Sequence, residues 1–298
     1  MAASDAAALV RGERRDATLV LTIDHPPVNV LSHDVLDALA RRLEEAEADP
    51  AVRVVVLASA AQKAFAAGAN IREMASMGPD EARIHGARGQ SITRRIERLP
   101  LPVVAAVHGV CLGGGCEIVT ACDLVIASED AVFGQPEINL GIVPGWGGTR
   151  RLPGRIGPAR ARRWVLLGEN VPAADARAAG LVDRVVPRDQ LLPTALAVAD
   201  QLAAKPPLAL AAAKYALNYA IDARIDEGLA YERELWAHLF GTRDQRAGMG
   251  AFLAKRPLER WDRSDWAAES AGFPWAPEAL AAPPTERKAI KPDGSGRD

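Results

Sequence analysis

The chain has 298 residues, 49% of them hydrophobic and 25% charged, which is enough apolar material for one large core or two modest ones. A formal net charge of -2 gives no overall basic field for nucleic acid or an anionic membrane, so an anionic partner must be held by a local feature. Acidic residues near the start, no signal-like apolar run, and charges that interrupt every Ala/Leu-rich stretch argue against export and membrane insertion and place the chain in the cytoplasm.

In chain order, residues 17–23 and 52–58 are β-branched runs that predict strands. Between them Val35, Leu36, Leu39 and Leu43 recur at helical spacing within residues 34–48. The segment KAFAAGANIREM gives a small-residue turn over residues 66–69 and a short helix from about Ile71. A third strand at residues 103–107 runs into the cluster Gly113, Gly114, Gly115 and a helical pattern, and residues 124–127 read as a fourth strand. Gly145 to Gly148 open another helix, whose N-terminus favours anionic groups.

From Pro158 onward the pattern is mainly helical, with one strand candidate over residues 181–186 and Ala/Leu-rich helices from Gln190 to about Lys255. Pro206 and Pro207 break those helices near residue 205. The alternation of strands and helices argues for an α/β fold. Three regions follow: an α/β catalytic core over residues 1–204, a helical region over 205–262, and a Pro/Ala-rich, partly disordered tail over 263–298 anchored by Trp266, Phe273 and Trp275.

Cys111, Cys116 and Cys122 are the only thiols, too close together for a disulfide framework and without metal-binding spacing, so a reducing compartment and no metal are expected. Gly113, Gly114 and Gly115 follow a strand and precede a helix, where unpaired backbone N–H groups can receive negative charge. Their other reading is tight helix packing. Gly115 is followed by Cys116 and Glu117, not by the Lys-Ser/Thr pair of a phosphate loop, and Ile118 stands where a dinucleotide fingerprint needs its third glycine. The turn at residues 66–69 offers a second backbone donor, and two donors aimed at one point would stabilise an enolate formed from a thioester. Glu117 directly after the glycine turn, and Glu137 in the apolar run QPEINLGIV, sit where an unpaired carboxylate is costly, which makes both candidates for acid/base chemistry.

The segments FAAGANI, HGVCLGGGCE and FGQPEINLGIVPGWGGTRRL resemble the three signature segments of the enoyl-CoA hydratase/isomerase, or crotonase, family, and the resemblance covers about residues 15–260. It implies a crotonase-like spiral of strand-strand-helix turns with a helical C-terminal region, assembled as a homotrimer or a dimer of trimers. The implied oxyanion hole is the backbone N–H groups of Ala69 and Gly114. Hydratases of the family resemble this chain in keeping carboxylates at both Glu117 and Glu137. Glu117 then holds and deprotonates water while Glu137 delivers a proton to C2 of a 2,3-unsaturated acyl-CoA. Ala67, Gly68, Gly113, Gly145 and Trp146 fall at substrate positions, and Arg72, Phe252 and Lys255 at positions that contact CoA. No cofactor is implied, since coenzyme A is part of the substrate. Asn70 stands where the family usually has Asp, and Trp146 replaces a residue that is commonly small, which either reshapes the acyl pocket or fills the core. The alternatives are another acyl-CoA reaction of the family, a double-bond isomerase or specialised dehydratase, and a non-catalytic RNA-binding scaffold using the arginines of SITRRIERL.

Overall fold

The structure is a computed structural model that describes residues 9–257, 261 and 263–275. Strands β1 (Val10–Arg15) and β2 (Thr18–Ile23) form an antiparallel hairpin. Strands β3 (Val54–Ser59), β5 (Val103–Val107), β7 (Leu124–Ser128) and β10 (Arg184–Val186) extend it in parallel, giving a six-stranded sheet in the order β1-β2-β3-β5-β7-β10. A second sheet of very short strands has the order β4 (Ala64–Ala66), β6 (Val110–Leu112), β8 (Val132–Gly134) and β9 (Val171–Pro172). Each of the pairs β3 and β4, β5 and β6, β7 and β8 gives one strand to the large sheet and the next to the small one, so the chain climbs as a spiral.

Both faces of the large sheet are covered, and its central strands therefore read as continuous apolar runs. Val55, Leu57, Val103, Ala105, Val107, Val125 and Ala127 face the main core, together with helix α1 (His33–Ala48), which buries Val35, Leu36, Leu39 and Leu43. Val54, Val56, Val104, Ala106 and Ile126 face the other way, against Leu191, Ala195, Val198 and Ala199 of a later helix at Leu191–Ala203. Ser32 caps α1 by accepting from the Val35 amide.

The remaining helices are α2 (Ile71–Met74), α3 (Pro79–Arg98), α4 (Gly114–Ala121), α5 (Gly148–Ile156), α6 (Pro158–Leu167), α7 (Ala173–Ala179), α8 (the Leu191–Ala203 helix), α9 (Pro207–Ala220), α10 (Ile225–Leu239), α11 (Arg243–Leu253) and α12 (Trp266–Ser270). The Pro206-Pro207 break separates α8 from α9. Helix α9 is tied back to the core by Lys214, whose ammonium pairs with Asp123 at 2.8 Å and donates to the carbonyls of Ile96 and Leu101. Trp266 and Phe273 each stack on Trp275, which also packs on Tyr215 of α9. The rest of the tail, from residue 276, lies outside the described residues.

The structure differs from the sequence expectation at three places. The charged segment VRGERR is strand β1, an edge strand whose residues after Val10 are exposed. The strand expected over 181–186 is shortened to Arg184–Val186. The second sheet carries no sequence signal, because strands of two or three residues are too short to display alternation.

Asn29 links these layers. It is wholly buried, in the left-handed region at φ 50°, and its side-chain N–H2 donates to the carbonyls of Ile23 and Phe65 and to the Ser59 hydroxyl, while its side-chain oxygen accepts from the His25 amide. Asn29→Ala strands those partners and is expected to destabilise the fold by about 2–4 kcal/mol, read as a lowered urea midpoint at unchanged slope. A midpoint equal to wild type would show that the network contributes nothing.

Candidate active site

Register in the small sheet decides where the site forms. Ala66 pairs with Cys111 and Leu112 with Gly134, all in parallel, so the C-terminal ends of β4, β6 and β8 are level and their loops emerge side by side. The loops carry Ala67–Ala69, Gly113–Gly114 and Gln135–Glu137 respectively. The carboxyl ends of parallel strands are a common place for ligand sites in α/β sheets.

The amide directions in the first two loops are fixed from behind. Leu31 N–H donates to the Gly68 carbonyl at 2.9 Å, and in a trans peptide this turns the Ala69 N–H the opposite way. Likewise the Gly113 carbonyl accepts from the Glu117 amide at 2.9 Å, so the Gly114 N–H points out of the start of α4. Gly68 has φ +101° and Gly113 φ +53°, conformations that favour glycine. The two turns touch: a Cβ on Gly68 would stand 3.7 Å from the Gly114 nitrogen.

Glu117 lies in the first turn of α4 and is 1% exposed. Its Oε1 accepts from the Trp146 and Gly148 amides, both at 2.7 Å. Burial raises its pKa; the N–H bonds from Gly148, Trp146 and Gly147, and the Arg151 guanidinium, act against that rise. Helix α5 does direct its N-terminus at an anion, as its glycines led one to expect, and that anion is the Glu117 carboxylate.

Glu137 belongs to a 3-10 turn, Pro136–Leu140, which ends at Gly141 in the left-handed region. A Cβ on Gly113 would stand 3.0 Å from Glu137 Oε1, so the carboxyl lies directly over the glycine turn. Its Oε2 is buried with no protein hydrogen-bond partner. Burial, with the charge of Glu117 adding to it, pushes the Glu137 pKa up to about 7. The two carboxyls thus sit in unlike environments, one wrapped in N–H donors and one with an oxygen that no protein group donates to.

The other positions divide into two groups. Ala67, Gly68, Ala69, Gly113, Gly114, Glu117 and Glu137 come together, with Gly145 and Trp146 joined to them through the Glu117 hydrogen bonds. The Trp146 indole is 3% exposed and fills the space between α3 and α4: a Cβ on Gly89 would be 2.2 Å from it and one on Gly114 2.4 Å. Arg72 lies exposed on α2, next to Asn70, which caps that helix by accepting from the Arg72 amide and donates to Glu73 at 2.6 Å. An Asp at position 70 could not make the bond to an ionised Glu73. Phe252, 82% exposed, and Lys255 lie at the end of α11, away from the elements that carry the glutamates. Gln90, Thr93, Glu97 and Arg151, which no sequence signal sets apart, surround the loop that holds Glu117. Among the described residues no group of three or more metal-ligating side chains is assembled.

The fold is shared with enzymes of known structure. The chain superposes on an enoyl-CoA hydratase from Bacillus anthracis with a TM-score of 0.80 and 34% sequence identity, over 85% of this chain and 98% of the other. Residues 13–263 match the family described as enoyl-CoA hydratase/isomerase, and the chain belongs to that family. It is 41% identical to the short-chain-enoyl-CoA hydratase of Clostridium acetobutylicum, over 83% of this chain and 95% of that one. It is 42% identical to the 2,3-dehydroadipyl-CoA hydratase of Escherichia coli, over 82% and 94%.

Proposed function

We propose that the protein is an enoyl-CoA hydratase, adding water reversibly across the 2,3 double bond of an acyl-CoA thioester to give the 3-hydroxyacyl-CoA. The observation that carries this reading is a pair of carboxyls of unlike environment, Glu117 buried and Glu137 half-buried, beside two outward-turned amides. In the proposed reaction the Ala69 and Gly114 N–H groups receive the thioester oxygen as it gains enolate charge. Glu117, held by its N–H donors, takes a proton from water as the water oxygen bonds to C3. The C2=C3 electron pair moves toward the thioester oxygen, and Glu137 gives its proton to C2 as the enolate collapses. The product has gained one water. Proton exchange between the carboxyls, or with solvent, resets the pair.

Incubation with crotonyl-CoA is expected to bleach the absorbance of the conjugated thioester; no loss of signal with any unsaturated acyl-CoA would remove the hydratase reading. The relatives named for short-chain enoyl-CoA and for 2,3-dehydroadipyl-CoA are equally similar to this chain, so a screen across acyl groups is what decides chain length. Arg72, Phe252 and Lys255 are assigned to the CoA phosphates and adenine, with the last two reaching a site across a subunit boundary. Exposed apolar side chains, including Leu166, Leu167, Leu217 and Trp236, support association of copies of the chain, as a homotrimer or a dimer of trimers. The three free, buried thiols support a reducing compartment such as the cytoplasm.

The carboxyls also set a pH dependence. Hydration needs Glu117 ionised and Glu137 protonated, which together amount to one proton on the pair. Loss of that proton from Glu137, at about 7, is expected to give kcat/KM an alkaline limb near that pH in the free enzyme. Dehydration uses the same singly protonated pair with the proton on Glu117, so the limb should lie at the same pH in both directions. A profile flat from pH 6 to 9 in either direction would contradict the role given to Glu137.

A further inference from the structure

We propose that Gln90, Thr93 and Arg151 are positioning residues for Glu117, their side chains locking the carbonyl sides of the first two of three successive peptide groups whose N–H sides face its carboxylate, while backbone amides of α5 lock the third. The proposal rests on the reading of Glu117 as the base.

Each of the three peptides is held from behind. The Gly145 carbonyl accepts from Gln90 Nε2 at 2.9 Å, and the N–H of the same peptide is that of Trp146, which donates to Glu117. The Trp146 carbonyl accepts from Arg151 Nη1 at 3.0 Å and from the Thr93 hydroxyl at 2.9 Å, the shortest contact that hydroxyl makes; the N–H of that peptide is that of Gly147, which lies between the two bonded amides and also favours the ionised carboxylate. The Gly147 carbonyl accepts from the Arg150 and Arg151 amides of α5, and its peptide supplies the Gly148 N–H. Because C=O and N–H point in opposite directions across a trans peptide, fixing the first aims the second. Three consecutive N–H groups turned to one side make an anion-binding concavity, and Gly147 at φ +110° allows the curvature.

Helix α3 supplies most of this grip from one face. Gln90, Thr93 and Glu97 follow at steps of three and four, which puts them on one stripe. Glu97 pairs with Arg151 through two bonds, Nε to Oε1 at 2.6 Å and Nη2 to Oε2 at 2.7 Å, so the guanidinium that holds the Trp146 carbonyl is itself fixed in plane. Gly89 lies on the same side, where a side chain would collide with the indole. The charged and titratable groups around Glu117 are Arg151 on α5, with Glu97 of α3 behind it, Glu137 on the 3-10 turn, and the Cys116 thiol on its own helix. Arg151 is the cation among them.

The test measures kcat, KM for crotonyl-CoA and the pH profile of kcat. Gln90→Met and Thr93→Val are each expected to lower kcat roughly 10-fold with KM nearly unchanged, and Thr93→Ser, which keeps the hydroxyl, to remain close to wild type. Arg151→Gln is expected to cost roughly 100-fold and to move the acid limb of kcat to higher pH, since removing the cation makes the Glu117 anion harder to form. In a Glu117→Gln background none of these changes should lower the residual turnover further. Unchanged kcat in Gln90→Met and Arg151→Gln, a rise in KM alone, or an undiminished penalty in the Glu117→Gln background would each overturn the proposal. Gln90 is exposed, so its variant decides the matter should Arg151→Gln not fold. The underlying reading fails by a different result, namely full activity in Glu117→Gln itself.

Discussion

Glu117→Gln and Glu137→Gln are each expected to lower kcat by roughly 10²–10⁴-fold while changing KM little, because the proposed mechanism gives proton transfer and thioester anchoring to different groups. The two variants should differ in what else they change. In Glu117→Gln the amide oxygen can take the place of Oε1 and accept from Trp146 and Gly148, so the loop stays closed around a neutral group. Burying a neutral amide costs less than burying a carboxylate, and the thermal midpoint is expected to equal or exceed that of wild type. Glu137→Gln removes the group whose pKa is pushed up to about 7, so the alkaline limb of the pH profile should disappear along with most of the rate. The measurement is the crotonyl-CoA assay run beside a melting curve. A variant that loses stability yet keeps its specific activity would mark its carboxyl as a packing group and not a catalytic one.

Much of this site is legible in the sequence because its chemistry depends on residues that are unusual in their local setting. Three glycines before a helix and a glutamate in an apolar run are departures from what packing alone favours, and the structure sets them side by side. What the sequence hides is the register that does so. The pairings Ala66 with Cys111 and Leu112 with Gly134 come from strands of three residues, whose apolar content is indistinguishable from that of a loop or helix start. Strand β1 was hidden for another reason: at a sheet edge VRGERR can keep its charges in solvent, so only the backbone ladder to β2 identifies it. The grip on Glu117 is illegible for a third reason, since Gln90, Thr93 and Glu97 look like an ordinary polar helix face until the loop they bind is known. Trp146 shows the reverse case. Its position within a signature segment marks it as special, but the sequence leaves open whether the indole faces substrate or core, and the structure adds that the indole is buried between Gly89 and Gly114.

Gly115→Ala tests how tightly the two amide turns are built together. A Cβ at this position would stand 2.4 Å from the Ala66 carbonyl oxygen and 2.9 Å from the Ala66 Cβ, contacts that a side-chain rotation cannot relieve because the obstruction includes backbone. Ala66 ends β4, which is paired with β6, and all eight residues of α4 are buried, so neither element can retreat without unpacking the core. The cost is expected at about 3 kcal/mol, at the upper end for overpacking. The same shift must move the Gly114 N–H, one residue before the substitution, relative to the Ala69 N–H, three residues after Ala66, and misaligned donors lose most of their value in the transition state. Lower stability and a fall in kcat of roughly 10²-fold are therefore expected together. Gly145→Ala is the control, since a Cβ there meets nothing within 4 Å, and its unfolding midpoint should match wild type. If Gly115→Ala were as stable as Gly145→Ala and as active as wild type, the close approach of β4 to the start of α4 could not be what aligns the two amides.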